Sequence, residues 1–397
     1  MKKKFFYPLL ENPYRKKDLN KAIQVIKTGK LTIGKHTSIF EKRFTQKLKS
    51  KYSLMVNSGS SANLLALQCL INPYRKKRLK KGDSVLIPTV CWSTSLWPIV
   101  QSGLNPVFVD IDPKTLNIDI NDLIKKINKK TKALMLVHVL GNSTNMDDLC
   151  KILKEKKIIL IEDTCESLGS KFKKRYLGTF GDFSSFSFYS SHQISSGEGG
   201  MITCRSSEDY EILKSLRSHG WSRGLKNEKK IAEKNKNLDS RFIFFNSGFN
   251  LRPTDISASI GLSQFNELDK FTIIRNKNRN LIVNSLKKKK IIDKNFYFIE
   301  ANKNVKPSWF GIPILIKNVK NRNKFIKKLE NSGVETRPII SGNFLKQPAV
   351  KKYNLLRNKS FNNSNIINDL GFFIGLPTRK INNNYINRIV KAFEKSI

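Results

Sequence analysis

Between positions 84 and 163 the chain alternates unbroken apolar runs with stretches whose apolar residues recur every three or four positions. SVLIP (84–88), PVFVDID (106–112), ALMLVHVLG (133–141) and KIILIED (157–163) are continuous apolar runs that end in polar residues. SLWPIVQSG, NDLIKKIN and MDDLCKILKEKK lie between them and carry helical spacing. Strands that do not alternate are buried on both faces, and helices joining them make the sheet parallel. The pattern therefore predicts an α/β fold with a sheet covered on both sides. Ligands of such sheets bind beyond the carboxyl ends of the strands, which directs attention to Pro88, His138 and Asp163.

Past about Phe265 the pattern changes. Residues 266–288 read as one long basic helix, NFYFIE and GIPILI as strands, and NKFIKKLENSG as a further helix. The expected division is a large unit, 1–264, and a smaller C-terminal α+β unit, 265–397, with 20–28 near the N-terminus as a candidate addition to it. The Lys- and Asn-rich stretches 226–237 and 318–324 read as surface loops.

Composition narrows the class. With 397 residues, 39% hydrophobic and 10% aromatic, the chain can build packed cores, which excludes a disordered polymer. Its 74 Lys and Arg against 31 Asp and Glu leave a formal charge of +43. The basic residues are spread along nearly every segment, without a helix-turn-helix, zinc-finger spacing or RNA-binding aromatic motif. No nucleic-acid partner is expected, although the charge would help gather an anionic substrate such as a nucleotide sugar. Cys69, Cys91, Cys150, Cys165 and Cys204 lack paired spacing and read as reduced thiols of a cytoplasmic protein. No run approaches the ~20 apolar residues of a membrane span, so no membrane partner is expected.

Four segments could carry chemistry. VNSGSSANLLALQCL, from Val56, has a strand end, small polar residues and a helix start. That is either an anion site built from free N–H groups or an ordinary helix cap at Ser60 or Ser61. IEDTCESLGS ends a buried strand at Asp163, whose carboxylate is salt-bridged, caps a helix, or is set to hold a cofactor nitrogen. GTFGDFSSFSFYSSHQISSGEGGMITC, from Gly178, carries Ser187, Ser190, Ser191 and His192 ahead of a Gly-rich turn. Its histidine is structural or catalytic. SGFNLRPTDISASIGLSQ, from Ser247, ends in a helix.

In this order and spacing the four segments resemble the DegT-like family of pyridoxal-phosphate sugar aminotransferases, from LTIGKHTSIFEKRF near Leu31 to about Gly375. SGSSAN, PTVCWST, EDTCESLG, SFSFYSSHQISSGEGG and GFNLRPTDISASIGL all fall in register. The resemblance implies a type I, aspartate-aminotransferase-like fold with a mostly parallel seven-stranded sheet and an active homodimer. It implies phosphate contacts at Gly59, Ser60 and Ser187, with Asn250 reaching the phosphate of the neighbouring subunit. Trp92 would stack on the pyridine ring or be plain core. Asp163 would meet the ring nitrogen, and Glu166 would lie near the ring hydroxyl.

One departure decides the expected activity. Aminotransferases of this family have a lysine where this chain has His192, and histidine cannot form a Schiff base with the cofactor aldehyde. Pyridoxal or pyridoxamine phosphate would be held non-covalently, with His192 as the base. That exchange resembles the 4-keto-sugar 3-dehydratase subgroup. Some of its members carry an iron–sulfur cluster, but only Cys204 follows His192 here, too few thiolates for one. The implied reaction is loss of the C3 hydroxyl from a nucleotide-linked 4-keto-6-deoxy sugar, a GDP-linked mannose derivative first, with L-glutamate as amino donor. His219, Arg223 and Arg337 are candidate sugar or diphosphate contacts, or salt-bridge residues. A sugar aminotransferase using His192 as base and a non-catalytic family member stay open as alternatives.

Overall fold

The computed structural model describes residues 5–319, 321–355 and 361–397. Seven strands form the central sheet: β1 (Tyr52–Val56), β2 (Ser84–Pro88), β3 (Asn105–Val109), β6 (Thr131–Val137), β7 (Ile159–Asp163), β10 (Phe183–Ser187) and β11 (Gly200–Cys204). Their order is β1-β11-β10-β7-β6-β2-β3. Only the two ladders of β11 are antiparallel; the rest are parallel. This is the α/β, aminotransferase type I architecture. The apolar runs lack alternation because each face meets its own core. Val85, Ile87, Ala133 and Met135 pack in one cluster, and Leu86, Leu134 and Leu136 in another on the opposite face.

The first face is covered by α3 (Gly59–Leu70), α4 (Ser93–Gln101) and α7 (Ser207–Arg217). The second carries α5 (Ile120–Lys126) and α6 (Met146–Glu155). Asn145 caps α6 by accepting from the N–H groups of Asp147 and Asp148, whose charges suit the helix dipole. Near β1 and β10, α2 (Lys35–Leu48) and α9 (Asp255–Phe265) complete that side through Phe40, Phe44 and Phe265.

Small ribbons decorate this frame: β4 (Ile111–Asp112) with β5 (Asn117–Ile118), and β8 (Lys171–Phe172) with β9 (Arg175–Tyr176) and β13 (Val305–Lys306). The run 106–112 is thus two strands, divided at Asp110, whose carboxylate accepts from the N–H groups of Ile111 and Ser364. The run 133–141 ends as a strand at Val137 and continues as a 3₁₀ turn, Val139–Gly141.

The long helix α10 (Leu268–Lys287) leads to an antiparallel sheet of order β12-β14-β16-β15, formed by Phe296–Phe298, Gly311–Ile316, Gly371–Gly375 and Thr336–Arg337. Its core joins Ile282 and Leu286 of α10 to Ile314, Phe372 and Phe393. The N-terminal strand segment lies on it: Tyr7 bridges Val334, and its hydroxyl donates to the Gly375 carbonyl at 2.6 Å. Residues 20–28 do not join this sheet. They belong to α1 (Lys16–Lys27), which packs on α9, with Asp18 accepting from Ser263 at 2.6 Å.

Two expected loops contain helix. Glu228–Lys234 is α8, and 322–324 begin the helix Arg322–Asn331; Lys320 lies outside the described residues. Residues 1–4 also lie outside them. Among the described residues no helix is long and apolar enough to cross a membrane.

Candidate active site

The carboxyl ends of β1, β2, β6, β7 and β10 open onto one cavity of about 340 Å³. Gly59, Ser60, Trp92, Asp163, Glu166, Ser187, His192 and Arg337 all line it. Eight of the eleven residues singled out from the sequence therefore converge, although the sequence spreads them over nearly 280 positions.

Asp163 ends β7 and is 5% exposed. Its Oδ2 accepts from Asn63 Nδ2 at 2.8 Å and Ser95 Oγ at 2.7 Å, and its Oδ1 from the Cys165 N–H at 3.2 Å. Among the described residues no cation pairs with it, so the salt-bridge alternative does not hold. A carboxylate stabilised by neutral donors alone keeps its charge available to the cavity.

Helix α3 begins where β1 ends. Ser58, not Ser60 or Ser61, is its cap, accepting from the Ser61 N–H at 3.1 Å. That leaves Gly59 and Ser60 in the first turn, whose N–H groups lack intrahelical partners. The Ser60 hydroxyl meets Thr94 Oγ1 at 2.9 Å. A Cβ on Gly59 would stand 2.7 Å from Ser187 Cβ and 2.8 Å from Cys165 Sγ, so only glycine lets this helix start press against the end of β10. Trp92, just after β2, is 57% exposed and is not core.

Glu166 is half-buried and accepts from the Leu140 N–H at 3.0 Å. Leu140 holds a left-handed conformation at φ 51°, unusual for a branched residue. Burial, with the Asp163 charge adding to it, pushes the Glu166 carboxyl up to about 7. His192 follows β10 in a turn closed by its own N–H to the Tyr189 carbonyl at 2.9 Å. Phe310 packs on its ring at 5.3 Å between centroids. Its Nδ1 is buried with no partner among the described residues. Burial, and secondarily the Arg275 cation, pushes the imidazole down to about 3, so it is neutral at physiological pH.

The other three candidates stand apart. Asn250 is exposed, paired through its backbone with Ser218 and accepting from Arg252 at 3.1 Å. His219 packs on Trp221 at 5.1 Å, and Arg223 is exposed. None of the three lines the cavity of its own chain. His138 is likewise committed elsewhere: it is fully buried, 2.9 Å from Glu162 and 3.0 Å from the Ser143 hydroxyl. Sequence reasoning missed Asn63, Ser95 and Thr94. Asn63 and Thr94 lie inside the SGSSAN and PTVCWST motifs and Ser95 directly follows the second, but each is bonded to a residue far away in the chain. Among the described residues no group of three or more His, Cys, Asp or Glu is arranged to hold a metal ion.

Residues 13–394 match the model of the DegT/DnrJ/EryC1/StrS aminotransferase family. A curated relative from Escherichia coli O55:H7, GDP-4-keto-6-deoxy-D-mannose 3-dehydratase, is 38% identical over 376 residues, covering 93% of this chain and 95% of its own. The solved structure of the E. coli 3-dehydratase with bound hydrated PLP superposes with a TM-score of 0.91 at 34% identity, over 98% of this chain and 100% of that one. A structure of the same-named enzyme with a trapped PLP-glutamate geminal diamine has a TM-score of 0.90 at 34% identity, over the same shares. The chain belongs to the DegT/DnrJ/EryC1/StrS aminotransferase family.

Proposed function

We propose that this protein removes the C3 hydroxyl of a nucleotide-linked 4-keto-6-deoxy sugar, GDP-4-keto-6-deoxy-D-mannose in the first instance, with pyridoxamine phosphate as cofactor and L-glutamate as amino donor. The observation that carries this reading is a substitution at the cavity wall. In a chain with 74 Lys and Arg, no lysine among the described residues lines the cavity, and the family resemblance puts His192 where its aminotransferases have theirs. The names of the similar 3-dehydratases, and the PLP and glutamate bound in their structures, support the same substrate and donor.

The residues fit the cofactor. A carboxylate whose partners among the described residues are all neutral donors suits a protonated ring nitrogen, so Asp163 would hold that nitrogen. The first turn of α3, with Ser60 and Ser187, would hold the phosphate, as helix N-termini hold anions. Trp92, exposed on the wall, would cover the ring face. Glu166 would lie near the ring hydroxyl, and Arg337 would take the diphosphate.

When bound, the cofactor would supply an amine for the 4-keto group and a ring that takes up an electron pair as the amine-bearing carbon loses its proton and returns it as the C3 hydroxyl leaves. His192, neutral and with Nδ1 free, accepts the proton from the amine-bearing carbon. Asp163 keeps the ring nitrogen protonated. Phe310 and Trp92 supply apolar wall beside these groups. We further propose a homodimer in which Asn250 serves the phosphate site of the second copy, because it is exposed and outside its own cavity.

Borohydride reduction of the cofactor-loaded protein, followed by peptide mass spectrometry, tests the non-covalent mode. No cofactor–lysine adduct is expected; an adduct would favour an aminotransferase.

A further inference from the structure

Arg275 lies on α10 and is 5% exposed, yet among the described residues no carboxylate pairs with it. A buried, uncompensated guanidinium costs folding free energy and calls for a reason. Its two terminal nitrogens point to different parts of the molecule. Nη2 donates to the His192 carbonyl and Nη1 to the Trp309 carbonyl, each at 3.3 Å, while Nε has no partner among the described residues.

The rest of this helix face grips the same stretch. Thr272 meets the Ser308 hydroxyl at 3.0 Å, Asn276 donates to the Pro307 carbonyl at 2.8 Å, and Arg279 lies 4.7 Å from the Trp309 ring. The spacing 272, 275, 276 and 279 is one helical face. Phe310 comes next, with its N–H on the Leu140 carbonyl at 3.1 Å and its ring against His192. The His192 turn grows from the large sheet, whereas 307–310 lead into the small one. Arg275 donates to both, and the Gln193 side chain of the turn adds a direct bond to the Ser308 carbonyl at 3.1 Å.

We propose that Arg275 is a positioning residue for His192, a two-pronged clamp that fixes the His192 turn against the Phe310 segment so that the imidazole faces the cavity. This inference rests on the reading of His192 as the base. Other charged groups share cavity walls with His192: Asp163, Glu166, Glu198 and Arg337 on one side, and Glu11, Arg15, Lys270 and Arg379 in the neighbouring cavity. Among the described residues only Arg275 donates a hydrogen bond to the His192 backbone from another element. Its cation also helps keep the imidazole neutral, although burial is the larger cause.

The experiment measures kcat, KM, cofactor loading and the pH profile for Arg275→Met and Arg275→Lys in the full-length, cofactor-loaded enzyme. A base displaced by about 1 Å costs on the order of 10²-fold in rate, so Arg275→Met should lose about that much kcat with KM and loading unchanged. Loss of the cation raises the imidazole pKa, so the acid limb of its profile should move to higher pH. Arg275→Lys keeps the charge but reaches one carbonyl, so kcat should fall less and the acid limb should stay. Wild-type kcat in Arg275→Met, or a loss confined to KM or loading, would each overturn the clamp. Should Arg275→Met not fold, wild-type kcat in Arg275→Lys overturns it and a lowered kcat at unchanged KM supports it. His192→Asn, measured alongside, separates the two readings. If that variant keeps the native rate, the base assignment fails whatever Arg275 does. If it loses turnover while Arg275→Met does not, only the clamp fails.

Discussion

Asn63 donates to Asp163 across 2.8 Å, from one turn inside the helix whose first turn faces the same cavity. The helix that offers an anion site at its start thus also steadies, four residues after Gly59, the carboxylate at the other end of the proposed ring. Ser95 makes the second bond to the same oxygen at 2.7 Å.

Removing one of these donors should loosen the carboxylate without removing its charge. A hydrogen bond to a charged group is worth about 1.5–3 kcal/mol, so Asn63→Ala or Ser95→Ala should lower turnover by roughly tenfold or more. Asp163→Ala should abolish turnover, because an unprotonated ring is a poor electron sink. Steady-state kinetics on the three variants checks the order. Near-normal rates in Asp163→Ala would mean the carboxylate is structural.

Gly59→Ala places a methyl group within 2.7 Å of Ser187 and 2.8 Å of Cys165. Overpacking of this kind costs about 1–3 kcal/mol, and the helix start must retreat from β10 to relieve it. A lower melting temperature and weaker retention of cofactor are expected together. A variant that melts and holds cofactor like the native protein would show that the close approach does not shape the phosphate site.

Glu166 supplies a pH dependence whose sign is fixed. Its folded-state pKa, about 7, lies above the ordinary carboxylate value of 4.5, so between the two the folded protein binds more protons than the unfolded one. The stability it contributes is complete below about 4.5 and is lost as pH rises through about 7. Melting temperatures across that window should fall less steeply in Glu166→Gln than in the native protein. An identical slope would place the titration elsewhere.

The fold was legible where burial is symmetrical. Ser84–Pro88 and Gly311–Ile316 are strands at the positions their apolar runs mark, because both faces are covered. Asp110 broke a run that looked continuous, since its carboxylate serves the backbone of a segment some 250 residues later. Helix α8 was hidden because none of its residues is buried, which leaves no apolar stripe to read. At the site, motif spacing brought out Asp163 and His192. Asn63 and Ser95 escaped because their partner lies 100 and 68 positions away. Arg275 escaped too, because one more basic residue on a basic helix carries no signal until its burial is seen.

The most direct measurement of the proposed activity is the mass of the sugar product formed from GDP-4-keto-6-deoxy-D-mannose, L-glutamate and pyridoxal phosphate, with His192→Asn run in parallel. The native protein should give a nucleotide sugar lighter by one oxygen atom, with ammonia released. His192→Asn should bind both cofactor and sugar and form that product about 10²–10⁴-fold more slowly, the range for loss of a positioned base. An amino sugar that keeps its C3 hydroxyl, or a native rate in His192→Asn, would contradict the account.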